Sequence, residues 1–282
     1  MSAEDGSAFV ARLADLEATL AEREAELVAL REAVSVESRR IAAEMDVARR
    51  IQVSLMPRVP PSVGDWAVAS YYRAARIIGG DFYDVYELPD PPGSVGIAIA
   101  DITGKGITAA LLMAFLRASL RAATHIGYAP HISMTKVNYL LWESIERNQF
   151  VTAFYGILDT TNRTLAYSNA GHNPPILIDA EGNAHFERRG GVPLGMFRDS
   201  RYHEYYATID PGQMLVLYTD GVTEAMNSAG DEFGPERLVE AVKRGRHLSA
   251  RELINSIHRD VFDWTEGVGA HDDVTFFIIK AL

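Results

Sequence analysis

The sequence predicts an α+β fold: a long N-terminal coiled-coil helix, then a layered sandwich of strand hairpins and grouped helices. Three observations predict it. Residues 9–55 contain no Gly or Pro and carry a 4-3 apolar repeat. Pro57, Pro60 and Pro61 follow and stop the helix. Beyond them, short β-rich runs are joined by turn residues, and helical patterns come in groups instead of alternating one for one with strands.

In the first element, one heptad position holds Leu13, Leu20, Leu27, Val34, Ile41, Ala48 and Leu55. The other holds Phe9, Leu16, Arg23, Leu30, Glu37, Glu44 and Ile51, so eleven of the fourteen are apolar. A seam sustained over more than three heptads fits a parallel homodimer, with Glu26 and Arg31 at flanking positions suited to pairing across it. Glu37 and Glu44 weaken the later half, because each would bring two carboxylates together in a dimer. That half could instead rest on the rest of the chain, which it enters through Ile51 and Leu55 without a flexible linker. The division expected is 1–55 for the helix and 56–282 for the remainder.

Strands are expected at 66–72, 82–87, 95–100, 152–158, 164–169 and 214–218, with a closing strand at 274–280. The segment 159–163 reads as a hairpin turn, and a second hairpin returns from 176–178 through Glu181-Gly182-Asn183. Helices are expected at 107–123, 132–147, 235–243 and 250–264, the last opening on a capping box, Ser249 with Glu252.

Composition removes several functions. The absence of Cys excludes a disulfide framework, a cysteine zinc site and a thiol nucleophile. A net charge of −11 argues against nucleic-acid binding and suits a cation site or a basic partner, although solubility alone accounts for such an excess. The sequence shows no uninterrupted apolar run of membrane-spanning length and an acidic start unlike a signal peptide, so a cytoplasmic location is expected.

Four acidic segments fall where strands begin or end. They contain Asp81 and Asp84 in Gly79-Gly80-Asp81-Phe82-Tyr83-Asp84, Asp101 in Asp101-Ile102-Thr103-Gly104-Lys105-Gly106, Asp220 in Tyr218-Thr219-Asp220-Gly221, and Asp272-Asp273 ahead of Val274-Thr275. Carboxylate oxygens are the ligands that Mg²⁺ and Mn²⁺ prefer, and several in one pocket need cations to offset their repulsion. Each segment alone is an ordinary turn or loop; their ordered combination is not.

Together with the Ala-Ala-Leu-Leu-Met after the second segment and with Asn169-Ala170-Gly171-His172-Asn173-Pro174-Pro175, they resemble the PPM-type metal-dependent protein phosphatases, in the SpoIIE/RsbU-like bacterial branch. The resemblance covers roughly residue 51 onward. It implies a sandwich of two antiparallel sheets flanked by helices, with two Mn²⁺ or Mg²⁺ ions between the sheets. Asp101 is then expected to bridge the ions, Asp81 and the Ile102 carbonyl to complete one site, and Asp220 and Asp272 the other. Asp273 is expected beside Asp272 as support or alternative ligand, and Asp84 as structural. The implied reaction is attack of a metal-activated water on a phosphoserine or phosphothreonine of a protein, typically an anti-anti-sigma factor. No general acid is assigned: Thr103 stands where some relatives carry His. His172 is expected to be structural, Lys105 to shape a loop outside any P-loop pattern, and Arg76 to lie on the surface. An activating partner is expected to act through the coil.

Two rivals compete. Gly79-Gly80-Asp81 opens like a diguanylate cyclase signature, but Phe82 stands where Glu is needed. A coiled-coil scaffold with a degenerate phosphatase domain would show a lost metal Asp, and none is missing.

Overall fold

The computed structural model describes residues 3–57, 64–104, 106–125, 127–267 and 272–282, with side chains from residue 12 onward. Pro60, Pro61, Lys105 and His271 lie outside the described residues. The chain divides into two compact units, Met1–Ala48 and Arg49–Leu282.

The first unit is most of helix α1 (Ala3–Leu55), built from strong helix formers. Its seam residues Leu13, Leu16, Leu20, Leu27, Leu30 and Val34 are between 45% and 63% exposed. Glu37 and Glu44 both pair with Arg40 on the helix surface, at 2.6 and 3.1 Å.

The last turn of α1 belongs to the second unit. There Gln52 and Met56 are buried and Leu55 packs on the core, whereas Ile51 stays 58% exposed. The heptad seam therefore does not continue to the helix end. The buried face there runs through positions 52, 55 and 56, one helical turn apart.

The rest is a four-layer arrangement, helices–sheet–sheet–helices. One antiparallel sheet has the order β1 (Trp66–Arg73), β10 (Val274–Ala281), β9 (Met214–Tyr218), β6 (Ile176–Ile178), β7 (Ala184–Phe186). The other runs β2 (Phe82–Glu87), β3 (Ser94–Ile102), β4 (Val151–Asp159), β5 (Thr164–Ala170), β8 (Tyr205–Thr208). Helices α2 (Ile107–His125) and α3 (Pro130–Ser144) cover the second sheet. After the single turn α4 (Asp220–Thr223), α5 (Gly234–Gly245) and α6 (Ala250–Trp264) cover the first.

Strand alternation assigns each side chain to a layer. In β10, Phe277 and Ile279 point between the sheets, while Phe276 and Ile278 meet α5 and α6. In β3, Ile97 and Ile99 enter the sandwich, and the small Ala98 and Ala100 lie under α2. Both faces being covered explains why these strands read as unbroken apolar runs. Of the helices, α2 is long and apolar enough by composition to cross a membrane, but Met113, Leu116 and Leu120 pack on the sheet.

The capping box forms, with Ser249 N–H donating to Glu252 at 3.0 Å and Glu252 N–H to the Ser249 hydroxyl at 3.3 Å. Asp159 closes the first expected hairpin by accepting from the backbone of Thr161 and Asn162, both at 2.9 Å. The second hairpin forms as β6–β7. Helix α3 ends at Ser144, three residues early, because Ile145 adopts an extended conformation and packs against the core. The edge strand β8 was not foreseen: its residues alternate between half-buried and exposed, leaving no apolar run to read.

Candidate active site

The two sheets carry the four acidic segments to one end of the sandwich. Phe82 pairs with Ala100, so Asp81, just ahead of β2, comes beside Asp101 near the end of β3. Tyr218 pairs with Phe276, so Asp220, opening α4, comes beside Asp272 just ahead of β10. Gly221 makes the second approach possible, since a Cβ there would collide with the Asp273 carbonyl.

Two hydroxyls, Thr275 in β10 and Thr219 just past β9, reach Asp81. Thr219 donates to Asp81 Oδ2 at 2.7 Å and Thr275 donates to the same oxygen at 2.5 Å. The Thr275 N–H in turn donates to the Thr219 hydroxyl at 3.1 Å. Asp81 is therefore fixed from the opposite sheet.

The adjacent carboxylates Asp272 and Asp273 have different surroundings. Asp273 is buried, and its two oxygens accept from the backbone N–H groups of Ala75 at 2.7 Å, Asp81 at 3.3 Å and Gly80. Asp272 is half-buried and accepts the Asp273 N–H at 2.9 Å. Asp84 is also buried, but it turns away to Arg121, which grips it through Nε at 2.7 Å and Nη2 at 2.8 Å. Arg117 stands 3.5 Å from the same carboxylate.

Burial pushes the Asp81 carboxyl well above the usual carboxylate range; the nearby Asp101 charge adds to this, and the bonds from Thr275 and Thr219 oppose it. A buried acid beside a second acid is an environment that a cation relieves. The neighbouring backbone suits one as well: a Cβ on Gly80 would lie 2.7 Å from the Ile102 carbonyl oxygen, so glycine leaves that oxygen open to the Asp81–Asp101 corner. The donors are all oxygen, which fits a hard divalent ion. Among the described residues, no three acidic or histidine side chains gather around one point; the acids stand as the two pairs.

The remaining candidates have other surroundings. Thr103 is zipped to Phe150, its hydroxyl donating to the Phe150 carbonyl and accepting the Phe150 N–H, each at 2.8 Å. His172 is buried, with Nδ1 3.1 Å from the Thr152 hydroxyl, and desolvation lowers its pKa to about 4, so the ring is neutral. Arg76 lines a cleft of about 270 Å³ with Arg49, Gln52, Val53, Tyr72, Ala74 and Ile77. Sequence reasoning missed Thr219, Thr275 and Glu224. The two threonines sit within the quoted acidic segments, one residue before Asp220 and two after Asp273, which was the available signal. Partial burial raises the Glu224 carboxyl, and the nearby charges of Asp220, Glu232 and Asp272 add to this.

Two sheets packed face to face and flanked by helices give the fold seen in solved PP2C domains. The SiaA-PP2C domain of Pseudomonas aeruginosa superposes with a TM-score of 0.77 at 19% identity, over 86% of this chain and 98% of that one. Residues 91–282 match the family described as Stage II sporulation protein E (SpoIIE), and the chain belongs to that family. Relatives include protein IcfG of Synechocystis sp., 29% identical over 264 residues, covering 84% of this chain and 41% of that protein. Phosphoserine phosphatase RsbU of Bacillus subtilis is 26% identical over 241 residues, covering 85% of this chain and 70% of RsbU. The chain thus spans well under half the length of IcfG.

Proposed function

We propose that this protein is a metal-dependent serine/threonine protein phosphatase acting on a phosphorylated protein, in the cytoplasm, within a sigma-factor control pathway. The observation that carries the reading is the presence of two acid pairs, Asp81–Asp101 and Asp220–Asp272, at the same end of the sandwich, with Asp81 held by the Thr219 and Thr275 hydroxyls. Membership of the SpoIIE family and likeness to a named phosphoserine phosphatase support it.

In this reading two Mn²⁺ or Mg²⁺ ions would be held by these residues: Asp101 would be shared between them, Asp81 and the Ile102 carbonyl would serve one, and Asp220 and Asp272 the other. Such ions, when bound, supply an activated water and offset the phosphoryl charge. The chain's own part is positional. Asp273 supports the Gly80–Asp81 backbone with its carboxylate, which favours Asp272 over it as the ligand of that pair. Thr103 does not take the general acid's role, since its proton is committed to the Phe150 carbonyl. A phosphorylated anti-anti-sigma factor is the substrate that the family likeness favours.

The test is release of phosphate from a phosphoserine protein. Turnover should need added Mn²⁺ or Mg²⁺, vanish in EDTA and be abolished by Asp101→Asn with the fold retained. Undiminished turnover in that variant would overturn the two-ion assignment. Phosphoprotein binding without turnover by the wild type would leave a scaffold.

A further inference from the structure

We infer that Gln52, in the last turn of α1, is a positioning residue that holds the Gly79–Gly80–Asp81 loop in its ion-binding shape. The inference deepens the proposed function and rests on it.

Gln52 is 2% exposed, an uncommon setting for a long polar side chain. A buried primary amide is destabilising unless both of its ends are bonded. Both are. Its Nε2 donates to the Gly79 carbonyl at 2.7 Å, and its Oε1 accepts the Gly79 N–H at 3.3 Å. The Tyr72 hydroxyl, kept protonated by burial and by the nearby Asp273 and Asp81 charges, donates to the same Oε1 at 3.4 Å. The Gly79 backbone presents one donor and one acceptor, which fixes the orientation of the amide.

Gly79 thus makes with a side chain the two hydrogen bonds that a strand neighbour would otherwise make. It lies at the end of the segment joining β1 to β2, where no ladder bond holds it. Space closes it from the other side: a Cβ on Gly79 would lie 2.5 Å from both Asp273 Oδ2 and the Tyr72 hydroxyl. The next two backbone N–H groups, those of Gly80 and Asp81, are taken by Asp273. Three successive residues ending at Asp81 are therefore held by two side chains, Gln52 from the helix and Asp273 from the head of β10. Supports of this kind around a metal ligand set its orientation, and removing one commonly costs tenfold or more in metal affinity. Neither Gln52 nor Tyr72 belongs to the proposed ligands, so the effect is one of position.

The experiment compares full-length wild type with Gln52→Met, which keeps length and apolar bulk, and Gln52→Asn, which keeps the amide on a shorter arm. Mn²⁺ dissociation constants are read by electron paramagnetic resonance of free Mn²⁺, and the exchange rate of the Gly79 amide by hydrogen exchange. Gln52→Met should weaken Mn²⁺ binding roughly tenfold and speed Gly79 exchange, while amides in β9 and β10 keep wild-type protection. Its kcat at saturating Mn²⁺ should stay near wild type, and Gln52→Asn should fall between the two. Mn²⁺ affinity within twofold of wild type, with Gly79 exchange unchanged in Gln52→Met, overturns the inference. Should that variant not fold, the wild type still decides: a Gly79 amide that exchanges as fast as exposed turn amides overturns it, and slow exchange supports it. If the wild type binds no Mn²⁺, the proposed function fails, whereas Gly79 exchange still judges Gln52 on its own.

Discussion

The Thr275 hydroxyl donates to the Asp81 carboxylate at 2.5 Å, from the head of one sheet to the head of the other. Thr219, between β9 and α4, reaches the same oxygen. Because Asp81 is 1% exposed, no water replaces a lost donor. Depriving a buried polar group of a hydrogen-bond partner costs about 1–3 kcal/mol. Thr275→Val should therefore lower stability by about 2 kcal/mol, read by urea denaturation with Mn²⁺ absent. A midpoint and slope equal to wild type would mean that this contact contributes nothing to the folded state.

Asp84 lies three residues from Asp81 and has a different task. Its carboxylate is buried under the Arg121 fork, which also stacks on Tyr86 with 4.4 Å from guanidinium to ring centre. The pair ties α2 to β2. Removing one partner of a buried pair costs about 3–5 kcal/mol, and the partial exposure of Arg121 argues for the lower end. Asp84→Ala should thus destabilise by roughly 3 kcal/mol and leave Mn²⁺ affinity within twofold of wild type. Loss of Mn²⁺ binding at full stability would instead make Asp84 a ligand.

The sandwich was legible because β3, β9 and β10 are apolar on both faces and the turns carry Asp, Gly and Asn where hairpins need them. The acids of the site were legible as segments at strand ends, since each sits where a run of apolar residues stops. Their support was not. Gln52 looks like any polar residue on a helix, and only the tertiary fold places it against Gly79, 27 residues away. Asp273 and Asp272 are alike in sequence, and what separates them is that the backbone N–H groups of Ala75, Gly80 and Asp81 converge on one of them. Ile51 misled for a related reason: the heptad reading follows one face of a helix, and at its last turn a different face meets the domain.

Stability depends on pH through His172. Its ring is buried and neutral, with a folded pKa of about 4 against an ordinary 6.5, through desolvation. The unfolded chain therefore binds a proton between those values that the folded chain does not. Stability from this group is complete above pH 6.5 and is lost as pH falls toward 4. A shift of that size corresponds to a loss on the order of 3 kcal/mol. His172→Asn, which can still meet the Thr152 hydroxyl, should flatten the fall in stability across that window. Denaturation at pH 7, 6, 5 and 4 checks this, with carboxylate effects common to both proteins removed by difference. Parallel curves would show that the ring takes up a proton without unfolding.

In α1, Leu13, Leu20, Leu27 and Val34 repeat every seven residues and are all at least 45% exposed, an apolar stripe of the spacing that a second copy of the same helix would cover. The two acids that interrupt the seam, Glu37 and Glu44, are each bonded to Arg40 on their own helix, so each carries its counter-charge with it. Those bonds are exposed and weak, and they soften the repulsion between two copies without removing it. The dimer should accordingly be held by the stripe from Leu13 to Val34 and tolerate the later acids. Light scattering of the full chain at tens of micromolar should give twice the monomer mass. Replacing Leu20 and Leu27 together by Glu should return it to monomer, because four carboxylates would then face one another across the seam. Glu37→Leu with Glu44→Leu should tighten the dimer. A full-length chain that is already monomeric, or a Leu20→Glu, Leu27→Glu variant that is still dimeric, would mean that the stripe does not pair with itself.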